Sequence, residues 1–395
     1  MKLSSEAPTA VTRNDAQPTG DAAPWDALAG RERPDPLDGA RLAAGWQRRE
    51  TFSARILARC IQSMGAFTTP GEVRPAGDLA TVLAIDPVHA RLWRTLLDIV
   101  VADGLLERDG DLLRATDSLA RIADADLDAE AELLVTEHPE LAAQLRLLRT
   151  CVNEYPRLLR GEIQPIGVMF PSSSMEMVAS TYRGDPFSDR LNELVAEAVA
   201  AHVDADGDRT ALRVLEVGAG TGGTTAHVLA ALKPYGDRVA YTYTDISPSF
   251  LRHGRRQFQA DHPGMEFKRL DIESDPGGQR FEQGGYDAVI AANVLHATRN
   301  LRDTLAHVDY LIAGGGRMVL LETTSFLRFL TMTFGLLDGW WRAEDREVRL
   351  PGAPLADVAT WERLLHEIGF RPTAALAATD FGRDERHVLI GERSR

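Results

Sequence analysis

From Arg213 to the C-terminus, short apolar runs alternate with longer amphipathic ones. RVLEVGAG, RVAYTYTDIS, MEFKRLDIE, YDAVIAAN and GRMVLLETT read as strands; TTAHVLAALKP and SFLRHGRRQFQAD read as helices between the first of them. A last helix, DVATWERLLHEIGF, leads to the strands TAALAATD and HVLIGER. Apolar strands separated by helices are stable in a mostly parallel sheet covered on both faces. The sequence therefore predicts an α/β, Rossmann-like core over residues 201–395.

The first strand runs into VLEVGAGTGG, residues 214–223, which satisfies two glycine patterns. Gly218, Gly220 and Gly223 fit the cradle of a dinucleotide; Glu216, Gly218, Gly220 and Gly222 fit the bend that holds S-adenosylmethionine. The loop alone does not decide, because both ligands need close backbone approach and unusual backbone angles. Asp245, followed by Ile246 at the end of the second strand, suits ribose hydroxyls in either case. Two acids separate the readings. Glu216 lies inside the strand, where a dinucleotide needs no acid but the ammonium and sulfonium of S-adenosylmethionine gain one. Asp271, after the third strand, suits the adenine amino group while Ile272 packs on the ring. S-adenosylmethionine is the predicted cofactor. Asp287, opening the fourth strand, reads equally as a cap.

Downstream, the fourth strand runs out into Asn293, Val294, Leu295, His296, Ala297 and Thr298. The carboxyl ends of parallel strands face the ligand crevice, so His296 is a candidate general base beside the methyl donor. Glu322 ends the neighbouring strand, where a carboxylate can fix the imidazole tautomer and stabilise its protonated form. Asn293 is a candidate for the cofactor wall and for steadying an enolate oxygen. The insertion at residues 324–355 is rich in Phe, Leu, Met and Trp. It reads as the roof of an acyl pocket, with Phe334, Trp340 and Trp341 as lining, closed against a lid or bridge over residues 151–200 that contains Tyr155.

Residues 1–45, rich in Pro, Ala, Asp, Gly and Thr, read as a disordered tail or linker. Residues 46–150 read as helices with a hairpin turning at Asp109-Gly110, a winged-helix-like unit. Its long helix carries few basic residues, which favours packing or dimerisation over DNA binding. A formal net charge of −14 points the same way, away from nucleic acid. There is no run of 18 apolar residues and no apolar signal core, so the expectation is a cytoplasmic protein off the membrane. Cys60 and Cys151 lack ligand or redox spacing and read as reduced, buried thiols. An oligomer is compatible with the helical unit.

VLEVGAGTGGTT, YTDISPSFL, LDIE, YDAVIAANVLHAT and TFGLLDGWW, in this order and spacing, resemble the methyltransferase domains of polyketide synthases, above all their C-methyltransferase domains. The resemblance covers residues 153–370 and implies a class I methyltransferase core. It also implies a catalytic dyad of His296 and Glu322, and cofactor contacts from Tyr182 and Asn192. The implied reaction is methylation of the α-carbon of a β-ketoacyl thioester presented by an acyl carrier protein. Arg252, Arg255 and Arg256, or Arg342, Arg346 and Arg349, are candidate docking patches for that acidic partner. An O-methyltransferase on the same scaffold is the nearest alternative; a winged-helix regulator and a non-catalytic scaffold are the others.

Overall fold

The computed structural model describes residues 36–174, 176–181, 185–205, 207, 211–378 and 383–394. The N-terminal region contains α1 (Pro36–Ser63), β1 (Val73–Pro75), α2 (Ala76–Val82), α3 (Ala90–Ala102), β2 (Leu106–Asp109), β3 (Leu112–Ala115), α4 (Asp117–Ala123), α5 (Leu127–Glu137) and α6 (Ala142–Leu158). Next come α7 (Pro165–Met169), α8 (Glu176–Ala179) and α9 (Pro186–Ala205). The sheet region contains β4 (Leu212–Val217), α10 (Gly223–Leu232), β5 (Val239–Asp245), α11 (Pro248–Phe258), β6 (Glu266–Arg269), β7 (Tyr286–Ala292), α12 (Leu301–Leu311) and β8 (Ile312–Thr323). It closes with α13 (Arg328–Thr333), α14 (Val358–Glu367), β9 (Phe370–Ala377) and β10 (Arg386–Arg393).

The large sheet has the order β6-β5-β4-β7-β8-β10-β9. β4 pairs in parallel with β5 and β7, and β7 with β8, whereas β10 runs antiparallel to β8 and β9. Chain order reverses on either side of β4, so the loop after β4 opens at the switch point where α/β sheets bind ligands. Central β7 is buried almost throughout, as a strand with both faces covered must be.

Two features depart from expectation. α1 begins at Pro36, inside the stretch read as a tail to residue 45. Leu42 and Trp46 are buried, and that burial offsets the entropy of ordering the turns before residue 46. The stretch expected to open a lid at residue 151 instead continues α6 to Leu158, through Pro156. A proline there frees the Val152 carbonyl, and Cys60 Sγ donates to that carbonyl at 3.6 Å. Burial pushes both the Cys60 and Cys151 thiols up to about 12. α3, in line with its few basic residues, is sunk in the protein: Leu92, Leu96 and Val100 are buried, and Arg91 stacks 5.1 Å above the Trp341 ring. The face a DNA-reading helix would expose is here a packing face.

The N-terminal helices hold the insertion after β8. Glu50 accepts from the Arg328 and Phe329 backbone N–H groups at 2.6 and 3.4 Å, capping α13. Asp103 pairs with Arg328 at 2.6 Å, and the Tyr155 hydroxyl donates to the Met332 carbonyl.

Candidate active site

The glycine loop is built to stay open. Gly218, Gly220 and Gly222 have φ of 61°, 59° and 78°, in the left-handed region that side chains disfavour. A Cβ on Gly218 would come within 2.4 Å of Val294, and one on Gly222 within 2.5 Å of Phe258. Packing therefore demands those two. A Cβ on Gly220 meets nothing nearer than 3.8 Å, so this glycine keeps the cavity floor clear. The loop is pinned from below: Gly220 N–H donates to Asp245 Oδ2 at 3.0 Å, and the Tyr243 hydroxyl donates to the Gly220 carbonyl at 2.7 Å.

Above the loop lies a cavity of about 830 Å³, walled by Glu216, Gly218, Gly220, Gly222, Asn192 and Asn293 among others. Glu216 is 1% exposed. Its Oε2 accepts from the Thr225 hydroxyl at 2.6 Å and the Tyr241 hydroxyl at 2.7 Å. Desolvation nonetheless raises its carboxyl to about 7, so a cation reaching this cavity would be bound more tightly by the ionised form. Room, an uncluttered glycine floor and an acid waiting for positive charge fit S-adenosylmethionine.

Other expected cofactor residues fall differently. Asp245, whose carboxyl is raised by burial, braces the loop at its edge, accepting from Gly220 and from Ser247 N–H at 2.7 Å. Ile246 beside it is 51% exposed. Asp271 caps the turn after β6, accepting from Glu273 N–H at 3.1 Å and the Ser274 hydroxyl at 3.2 Å. Ile272 is buried in the core beneath the sheet. Asp287 accepts from Arg213 N–H at 2.8 Å, a structural role. Tyr182 lies outside the described residues.

A second cavity, about 280 Å³, adjoins the first through Asn293 and Arg386, which line both. His296, Thr323, Phe334 and Trp340 also line it. β7 and β8 end side by side, and His296 Nδ1 lies 2.6 Å from Glu322 Oε2. Glu322 is fully buried, and its Oε1 accepts Leu295 N–H at 3.0 Å. A carboxylate accepts only, which places the proton on Nδ1 and leaves the Nε2 lone pair available. Asn293 holds φ of 52°, with its N–H on the Leu321 carbonyl at 2.6 Å and its Oδ1 accepting the Thr323 hydroxyl at 3.2 Å.

Two expected lining residues are elsewhere. Tyr155 is completely buried on α6, spending its hydroxyl on Met332. Trp341 turns its Nε1 to the Gly335 carbonyl at 2.7 Å and supports the roof from behind. The basic patches also change meaning. Arg256 belongs to the larger cavity's wall. Arg349 is buried, ion-paired to Asp345 at 2.7 Å, and donates to the His296 carbonyl at 2.8 Å and the Thr298 carbonyl at 2.9 Å. It clamps the histidine loop to the insertion. Sequence reasoning missed Ser188, His227, Phe250 and Arg386 as wall residues.

A methyltransferase-domain family profile matches residues 215–318. The crystal structure of the DszA carbon methyltransferase is 35% identical and superposes with a TM-score of 0.85, over 98% of this chain and 100% of that one. The chain belongs to the carbon-methyltransferase domains of polyketide synthases. The CurJ carbon methyltransferase is 31% identical with a TM-score of 0.81, over 91% of this chain and 94% of that one. Among whole proteins, the polyketide synthase ThaQ of Burkholderia thailandensis is 36% identical over 318 residues, and PksM of Bacillus subtilis 37% over 312. These matches take in 79% and 78% of this chain but span only 15% and 7% of the synthases. The carbon-methyltransferase domain is thus an S-adenosylmethionine-dependent enzyme. No helix among its described residues is long and apolar enough to cross a membrane.

Proposed function

We propose that this domain methylates the α-carbon of a β-ketoacyl thioester carried by an acyl carrier protein, with His296 as the base. The observation that carries this reading is the 2.6 Å contact between His296 and buried Glu322 at the mouth of the apolar second cavity. Hydrogens between a ketone and a thioester are acidic enough for an imidazole base. His296 Nε2 takes one of them, the C–H pair passes into the enolate, and Glu322 stabilises the imidazolium that results.

Glu216, the backbone around Gly220, Asn192 and Asn293 hold S-adenosylmethionine, which supplies the methyl group when bound. Asp245 keeps spare lone pairs for a ribose at the rim, where exposed Ile246 can cover an adenine. Asp271 is given no cofactor role, since nothing brings its carboxylate to the cavity. Phe334 and Trp340 exclude water from the acyl chain, which strengthens the charge interactions at the reacting carbon. Arg252 and Arg255, both exposed, remain as a carrier-docking face.

The test uses S-adenosylmethionine with a deuterated methyl group and a β-ketoacyl thioester, with the product read by fragmentation mass spectrometry. Label on the α-carbon is expected. Label on oxygen moves the domain to O-methylation and overturns the reading.

A further inference from the structure

Arg386 opens β10, directly opposite Thr323 of β8 in the antiparallel register. Because β10 enters the sheet where the parallel strands leave it, its first side chain reaches the crevice lined by Asn293 and His296. Arg386 is 6% exposed and lines both cavities. One nitrogen, Nη1, donates to Ser188 Oγ at 3.1 Å, and that hydroxyl in turn donates to Asp185 at 2.6 Å. Nε is buried with no hydrogen-bond partner. Among the described residues no carboxylate is ion-paired to Arg386; the adjacent Glu385 is taken by Arg383 at 2.8 Å. A buried guanidinium with an unsatisfied donor costs free energy unless something anionic meets it during function.

Resting on the carbon-acid reading above, we propose that Arg386 is a catalytic residue that stabilises the enolate oxygen as His296 removes the α-proton. The enolate's negative charge appears between the two cavities, where Arg386 stands. A guanidinium presents parallel N–H groups in a planar fork that matches the two oxygens of a 1,3-dicarbonyl enolate. Preorganised donors in a water-poor site are worth most where charge develops. The Asp185–Ser188 chain orients the fork from behind without neutralising it. The proton goes to Nε2, the C–H electrons to the enolate, and Arg386 stays protonated throughout.

The experiment follows solvent deuterium uptake at the α-carbon of acetoacetyl-N-acetylcysteamine in D2O without cofactor, above the enzyme-free rate. S-adenosylhomocysteine affinity and Tm are measured alongside. Wild type should catalyse exchange, and Arg386→Gln should slow it by about 10²- to 10³-fold while shifting S-adenosylhomocysteine Kd less than about threefold. Unchanged exchange in Arg386→Gln overturns the proposal while the reading of His296 stands. Unchanged exchange with a Kd raised tenfold or more also overturns it and makes Arg386 the partner of the cofactor's carboxylate. If wild type itself gives no exchange, the carbon-acid reading fails and this proposal with it. Should Arg386→Gln lower Tm sharply, Arg386→Lys decides: it keeps the charge without the fork, and wild-type exchange in that variant contradicts the fork.

Discussion

Glu216 couples the stability of the protein to the charge of its ligand. Its folded pKa of about 7 lies above the ordinary 4.5, so the folded state holds the proton more tightly than the unfolded chain does. The stability tied to this group is complete below pH 4.5 and is lost as pH rises toward 7. Glu216→Gln should therefore raise Tm relative to wild type at pH 8 and change it little at pH 4.5. In titration calorimetry, wild-type S-adenosylmethionine affinity should weaken as pH falls through about 7, and the variant's should not. Affinity that strengthens toward acid contradicts this role. Glu322→Gln keeps the shape but removes the charge behind His296, and should cost on the order of 10²-fold in methyl transfer.

At the level of elements, the roof of the second cavity depends on a carboxylate from the opposite end of the chain. Glu50 on α1 caps α13 and also pairs with Arg49 at 2.7 Å. Glu50→Ala should lower stability by about 1–2 kcal/mol and reduce kcat for the thioester while leaving S-adenosylhomocysteine affinity intact. Denaturant melts and binding isotherms check both halves. Much of this site was legible because parallel strands deliver their carboxyl ends to one edge: that rule alone brings His296 to Glu322. It was silent about Arg386, since an antiparallel strand brings its amino end to the same edge. The stretch from residue 151 reads as the opening of a lid, but α6 continues through Pro156, with Cys60 donating to the carbonyl that proline frees, so Tyr155 stays in the core. Arg349 reads as part of a docking patch because its burial against Asp345 is not visible in the sequence.

Across the whole molecule, the N-terminal helical region and the sheet share one structure rather than meeting at a polar seam. Arg49, 1% exposed, bonds Gln144 on α6 and lies 4.8 Å from the Phe329 ring of the insertion. Arg383, before β10, stacks 3.0 Å from Trp46 of α1 and 4.0 Å from Phe187 of α9. Calorimetry should therefore show a single unfolding transition, and the chain cut before residue 160 should fail to give a soluble methyltransferase; two separate transitions contradict this view. The measurement that bears most directly on the account is single-turnover methyl transfer to a β-ketoacyl thioester by wild type and His296→Ala, at saturating S-adenosylmethionine. The expected result is a 10²- to 10⁴-fold loss with cofactor affinity preserved; transfer within a few-fold of wild type would show that His296 is not the base.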